Sequence, residues 1–107
     1  MFTRVVEIEA KTGKSEQAIT KLRNEVVPVL QKQPGFIDLI ALRDSDNPQR
    51  VMCLSFWNSK ESATHYQREH YDSIVQMLKS VLETTPTLET LQVEISTPHR
   101  IAIGRAA

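Results

Sequence analysis

The segment Phe56-Trp57-Asn58-Ser59-Lys60-Glu61-Ser62-Ala63 constrains the fold more than any other part of this chain. It passes from an apolar strand end, through a polar junction, into a helix start. Ser59, or alternatively Ser62, can accept a hydrogen bond from one of the unpaired N–H groups of the first helical turn. A similar crossing lies near the N-terminus. Two such crossings imply a β-α-β-β-α-β order.

The flanking patterns fit that order. Phe2 to Ala10 carries Val5, Val6 and Ile8 among Arg4, Glu7 and Glu9, a half-buried strand. Lys11 to Lys14 form a turn, and Ser15 or Thr12 is the expected cap of the next helix, with Glu16 in its first turn. Ile19, Leu22, Val26 and Leu30 recur at helical spacing. Pro28 lacks an N–H and clashes with the preceding turn, which predicts a kink or break near Val27. Gln33-Pro34-Gly35 ends the helix. Phe36 to Arg43 and Val51 to Trp57 read as a hairpin across the turn Asp44 to Pro48. Ala63, Tyr66, His70, Ile74, Leu78 and Val81 line one helix face as far as about Leu82, with a break expected near His70-Tyr71-Asp72. After Pro86, the alternation of Leu91, Val93 and Ile95 predicts a fourth strand over Leu88 to Thr97. Residues 98 to 107 are left as a C-terminal tail beyond a domain of residues 1 to 97. The expected class is α+β, a ferredoxin-like four-stranded antiparallel sheet with helices on one face.

Composition narrows the function. At 107 residues the chain is one domain with enough buried surface for a core. With 13 Lys+Arg against 13 Asp+Glu it lacks the basic excess of a nucleic-acid or anionic-membrane binder. Cys53 is the sole cysteine, so neither an internal disulfide nor a cysteine metal cluster can form. A reducing cytoplasm is the expected location. No apolar run has transmembrane length, and the N-terminal residues read as a strand rather than a signal. Three glycines and no glycine-rich loop exclude a dinucleotide fingerprint.

The middle strands are apolar on both sides. Val51, Cys53 and Trp57 oppose Met52, Leu54 and Phe56, and Phe36, Ile40 and Leu42 oppose Ile37, Leu39 and Ala41. Helices cover only one face of such a sheet. The other face needs a second layer, so a homodimer packed sheet against sheet is predicted.

The element order resembles the dimeric α/β barrel superfamily. So do Val27-Pro28, Gln33-Pro34-Gly35-Phe36, the Phe56-to-Ala63 junction, and Leu82-Glu83-Thr84-Thr85-Pro86. Within that superfamily the chain is most similar, over about residues 2 to 97, to the antibiotic biosynthesis monooxygenase domain. The resemblance implies a sheet-to-sheet homodimer with a pocket between sheet and helices in each subunit. It also implies chemistry of the family's cofactor-independent oxygenases, which act on aromatic polyketides or quinols. Another branch degrades haem. Its strand-one Asn, helix-two Trp and proximal His fall here on about Val6, Tyr66 and Gln76, and all three differ. Gln76 cannot ligate iron as an imidazole does.

Tyr66 and His70, four apart on one helix face, are the candidate catalytic pair. A near-neutral imidazole and a phenol can orient a phenolic substrate and move its proton, leaving an anion that itself reduces O2. The same pair also reads as the core margin of an ordinary amphipathic helix. Trp57 is a candidate pocket wall for a flat ligand, or a packing residue under the helix. Asn58 is a candidate for a substrate carbonyl, or part of a cap. Arg43 is a candidate for an anionic group, or a solvated strand end. His65, between Glu61 and Glu69, reads as a solvated, salt-bridging face rather than a metal site. Cys53 reads as an inert core thiol. His99 and Arg100 have no evident constellation. No metal or cofactor is expected. Two functions stay open: a cofactor-independent monooxygenase on an aromatic or quinol-type molecule, and a non-catalytic homodimer that binds a small ligand or serves as an interaction module.

Overall fold

The computed structural model describes residues 1 to 104; the last three residues of the predicted tail lie outside that range. The strands are β1 (Phe2–Glu9), β2 (Phe36–Arg43), β3 (Arg50–Trp57) and β4 (Thr87–Gln92). The helices are α1 (Ser15–Lys21), α2 (Val27–Gln31) and α3 (Lys60–Leu78). A π-helical turn, Leu22–Val26, joins α1 to α2, and a 3₁₀ turn, Lys79–Val81, follows α3. All neighbouring strands are antiparallel, in the order β2-β3-β1-β4. This is the expected ferredoxin-like α+β arrangement.

Alternation along β3 sorts the two faces. Val51, Cys53, Ser55 and Trp57 are buried, while Met52, Leu54 and Phe56 are half-buried on the outer side. On β1 the residues paired with the buried set are Ile8, Val6, Arg4 and Phe2. The core between this inner face and the helices includes Leu22, Val26, Leu30, Ala63, Tyr66, Ile74 and Leu78. A one-residue irregularity between Phe36 and Asp38 corrects the expected faces of β2. The extra residue, Ile37, lets Phe36 share the inner face with Leu39 and Ala41, while Ile40 and Leu42 point outward. Pleat parity flips across a bulge, and period-two counting cannot register it.

Four further expectations need correction or refinement. The cap position of α1 falls on Lys14, which makes no side-chain cap bond, rather than on Thr12 or Ser15. The Lys14 N–H is already tied back to the Lys11 carbonyl at 2.9 Å, which carries the chain into the helix at Ser15. The kink or break expected near Val27 takes the form of a change in helical register and not of a break. The Val27 N–H bonds the Leu22 carbonyl, a five-residue π step, and Pro28 sits in the first turn of α2, where a missing N–H costs little. α3 runs unbroken through His70, Tyr71 and Asp72, a stretch without Gly or Pro. Finally, β4 ends at Gln92 instead of Thr97, because its partner β1 ends there: Gln92 pairs with Phe2, and the Val93 N–H reaches the Met1 carbonyl at 2.9 Å.

Beyond β4 the chain turns back through a bridge between Ser96 and Ile101. His99 lands on the outer face of the sheet, its ring centroid 5.6 Å from that of Phe56. Its Nδ1 contacts Ser96 Oγ and its Nε2 contacts the Asp38 carboxylate. His99 therefore has a constellation that the sequence did not reveal.

At the start of α3, Ser59 is the cap, accepting a bond from the Ser62 N–H at 3.2 Å. The Gly35 carbonyl accepts from the Asn58 N–H at 2.8 Å. Gly35 has φ of +81°, and a Cβ there would strike Ser62 Oγ and Asn58 Oδ1. Gly13 has φ of +77° but open space around it. Gly35→Ala should therefore destabilise the fold by roughly 2 kcal/mol or more, the left-handed penalty plus a disturbed cap. Gly13→Ala should lose only the backbone part. Urea unfolding of both variants checks the ranking, and equal losses would refute it.

Candidate functional site

The inner faces of β1 and β3 meet α3 over a small cavity. Its volume is about 40 Å³, and its walls include Arg4, Val6, Cys53, Ser55, Tyr66, Tyr71 and Ile74. A space of this size holds on the order of three water molecules. Most of the wall is aliphatic; the polar groups come from Arg4, Ser55 and the two tyrosines.

Arg4 is the unexpected member. It is only 2% exposed. Its Nη2 donates to Gln67 Oε1 on α3. The guanidinium carbon lies 5.0 Å from the Tyr66 ring centroid and 4.9 Å from that of Tyr71. Among the described residues no carboxylate forms an ion pair with it. Burying a lone cation costs several kcal/mol even after relaxation. Each ring face returns on the order of 1–2 kcal/mol in a desolvated setting. The two rings therefore offset part of the cost and leave a net positive potential in the cavity. Burial pushes the Arg4 pKa below the usual arginine value, with Tyr66 and Tyr71 acting in the opposite direction.

A row of rings backs this wall. Phe36 meets Trp57 edge-on at 5.6 Å, Trp57 stacks on Tyr66 at 5.1 Å, and Tyr66 stacks on His70 at 6.2 Å. The i, i+4 spacing on α3 produces the last pair. Trp57 is fully enclosed, and its Nε1 donates to Ser55 Oγ at 2.9 Å. Burial pushes the Tyr66 phenol up to about 12, with the Arg4 charge pulling it back. Tyr66 is therefore a neutral hydrogen-bond donor at physiological pH and not a base. Burial also raises the Tyr71 phenol and pushes the Cys53 thiol up to about 11, an unreactive state.

The structure brings together only part of the set expected from sequence. Tyr66 lies on the cavity wall. Trp57 stands behind Tyr66, and His70 stands at its outer flank, half-buried. Asn58 is exposed at the helix start, where its Oδ1 accepts from Ser62 Oγ at 3.0 Å. Arg43 sits at the far edge of the sheet, paired with Glu16 at 2.9 Å. It borders a separate open groove with Ile19, Arg23 and Val27. Sequence reasoning missed Arg4, Gln67 and Tyr71. The signal was there for Arg4, which shares its strand parity with the inward Val6 and Ile8. His65 is exposed and belongs to no candidate metal cluster among the described residues. Haem does not fit this donor set: no imidazole lines the cavity, and Gln76 belongs to a neighbouring groove.

The model of the family described as antibiotic biosynthesis monooxygenase matches residues 1–77, most of the chain. This chain belongs to the antibiotic biosynthesis monooxygenase family. Solved structures share the fold. A Nitrosomonas europaea protein bearing the family's name superposes with a TM-score of 0.72 at 17% identity, covering 87% of this chain and 98% of that one. A conserved protein from Methanosarcina mazei Go1 gives 0.71 at 21% identity, covering 86% and 92%. PA3566 from Pseudomonas aeruginosa gives 0.68 at 18% identity, again covering 86% and 92%. At these identities the likeness speaks for fold alone. No curated protein matches the sequence. Among the described residues no helix is long and apolar enough to cross a membrane.

The raised pKa values carry a sign. The folded chain holds the Tyr66 and Cys53 protons more tightly than the unfolded chain, where they titrate near 10.0 and 9.0. Stability is thus fully present below about pH 9 and falls as pH rises towards 12. Urea midpoints at pH 8, 10 and 11 should decline for the wild type, and less steeply for Tyr66→Phe. A flat profile would contradict the burial argument.

Proposed function

We propose that this family member is a cofactor-independent monooxygenase acting on an aromatic or quinol-type molecule, with Tyr66 and His70 as its polar machinery. The observation that carries the reading is the Trp57–Tyr66–His70 stack, whose middle ring lies on the cavity wall beside the buried Arg4 cation. In this reading His70 takes the substrate's acidic proton. Tyr66, held neutral by burial, donates to the oxyanion that remains, and Trp57 holds the Tyr66 ring in place. The electron-rich anion then reduces O2 directly, and the protein supplies orientation and a water-poor setting. Asn58 and Arg43, set apart from the cavity, have no part in this scheme.

O2 consumption with anthrone and naphthoquinol probes tests the proposal. His70→Ala should lower kcat/KM by roughly 10²-fold or more, as expected for loss of a proton-transfer group, and Tyr66→Phe by about 10-fold. Turnover unchanged in both variants would discard the assignment. The small, mostly aliphatic cavity favours a second reading, a non-catalytic ligand-binding dimer. Absence of O2 uptake with every probe, together with retained ligand binding, would select it.

We also infer that two copies pair through the outer sheet face. Ile40, Leu42 and Leu91 are 46%, 49% and 48% exposed there, beside the half-buried Leu54 and Val5. Apolar exposure of this kind is uncommon on monomers. Sedimentation should give about twice the 12.2 kDa chain mass, and Ile40→Glu with Leu42→Glu should give the monomer. A wild-type monomer at micromolar concentration would sink the inference.

A further inference from the structure

Among the described residues Arg4 is the one charged side chain sealed inside the fold, and structural stability does not account for it. A methionine or leucine would fill the same place between Tyr66 and Tyr71 without the cost of desolvating a cation. A guanidinium offers five N–H donors in a planar fork, matched to a carboxylate. Gln67 Oε1 and the Tyr66 hydroxyl engage only part of that fork. Every fully enclosed side-chain nitrogen and oxygen among the described residues has a partner. The remaining donors of Arg4 therefore open onto the cavity that it lines.

We propose that Arg4 anchors a carboxylate-binding subsite, in which the cavity takes the planar acid head of a small organic acid against the guanidinium. Room for about three waters suits a carboxylate and its first carbon, with any ring body outside the enclosed space. The flat Tyr66 and Tyr71 faces suit a planar head. Val75 and Pro86 belong both to the cavity wall and to an open groove of about 700 Å³ bounded by Lys11, Lys79 and Thr84. The body of a larger acid has its way out there. The proposal rests on reading this cavity as the ligand site, but not on the oxygen chemistry proposed for it.

The test is binding, read from Trp57 fluorescence and calorimetry, with sodium benzoate, benzamide and sodium acetate. Benzoate should bind at least tenfold more tightly than benzamide, its neutral counterpart. Gln67→Glu is the decisive variant. It sets a carboxylate beside Arg4 at almost no change in volume, so it should raise the thermal midpoint and weaken benzoate at least tenfold. Arg4→Met should weaken benzoate to the level of benzamide, and Gln67→Glu keeps the proposal testable if that variant folds poorly. Acetate binding as tightly as benzoate would support the subsite and identify its ligand as a free small acid. Tighter benzoate would identify the head of a larger one. Equal affinity for benzoate and benzamide, or full benzoate affinity in Gln67→Glu, would overturn the proposal. A protein that binds benzoate yet consumes no O2 with any quinol keeps the subsite and loses the oxygenase reading. One that turns over quinols but ignores benzoate does the reverse.

Discussion

Everything in this fold hangs on the antiparallel pairing of β1 with β3 at the centre of the sheet. Trp57 opposite Phe2, Ser55 opposite Arg4, Cys53 opposite Val6 and Val51 opposite Ile8 set one inward face in a single register. A slip by one residue would turn the Trp57 ring and the Arg4 cation outward together. The same register leaves Leu54 and Phe56 on the other side, so the helical core and the outer apolar surface are two consequences of one ladder. Both helical segments, α1–α2 and α3, are then fitted to the inner face. The π step before Pro28 keeps Leu22, Val26 and Leu30 buried across a residue that cannot donate a backbone bond.

The inner face is not uniformly apolar, and the proposed site lies there. Arg4 and Ser55 are paired across the ladder, beneath Tyr66 and Tyr71 of α3. Aromatic faces and one amide oxygen stand where a structural site would place a carboxylate. The same enclosure raises the Tyr66 phenol, so the cavity holds a cation and a neutral donor at once. Such a pairing favours anionic over neutral oxygen in whatever enters. The tail adds a constraint on the opposite side, where His99 rests on Phe56 and Asp38 and covers part of the outer face. The apolar side chains still exposed on that face include Ile40 and Leu42 on β2 and Leu91 on β4.

Much of the architecture was legible because it depends on local chemistry. Ser59 caps α3, as its place ahead of a helical pattern implied, and Gln33-Pro34-Gly35 ends the first helical unit. The inward position of Tyr66 was legible from its helical spacing with Ala63 and Ile74. Asn58 and Arg43 were less so: their neighbours, Ser62 and Glu16, come from packing and not from adjacent sequence. The Ile37 bulge and the early end of β4 escaped because both are set by a partner strand. Arg4 escaped because an arginine among glutamates in a half-apolar strand reads as an outward residue until its parity with Val6 and Ile8 is counted.

By itself, then, the sequence determined the order of elements, their type, most of their ends and the presence of two apolar sheet faces. These follow from caps, breakers and periodicity, which act over a few residues. Tertiary structure alone decided which polar side chains became enclosed and what stood opposite them. The Arg4–Gln67 contact joins residues 63 positions apart, and His99 reaches Asp38 across 61. Burial without a counter-charge is a property of such a meeting, set by register and packing and not by any short stretch of chain.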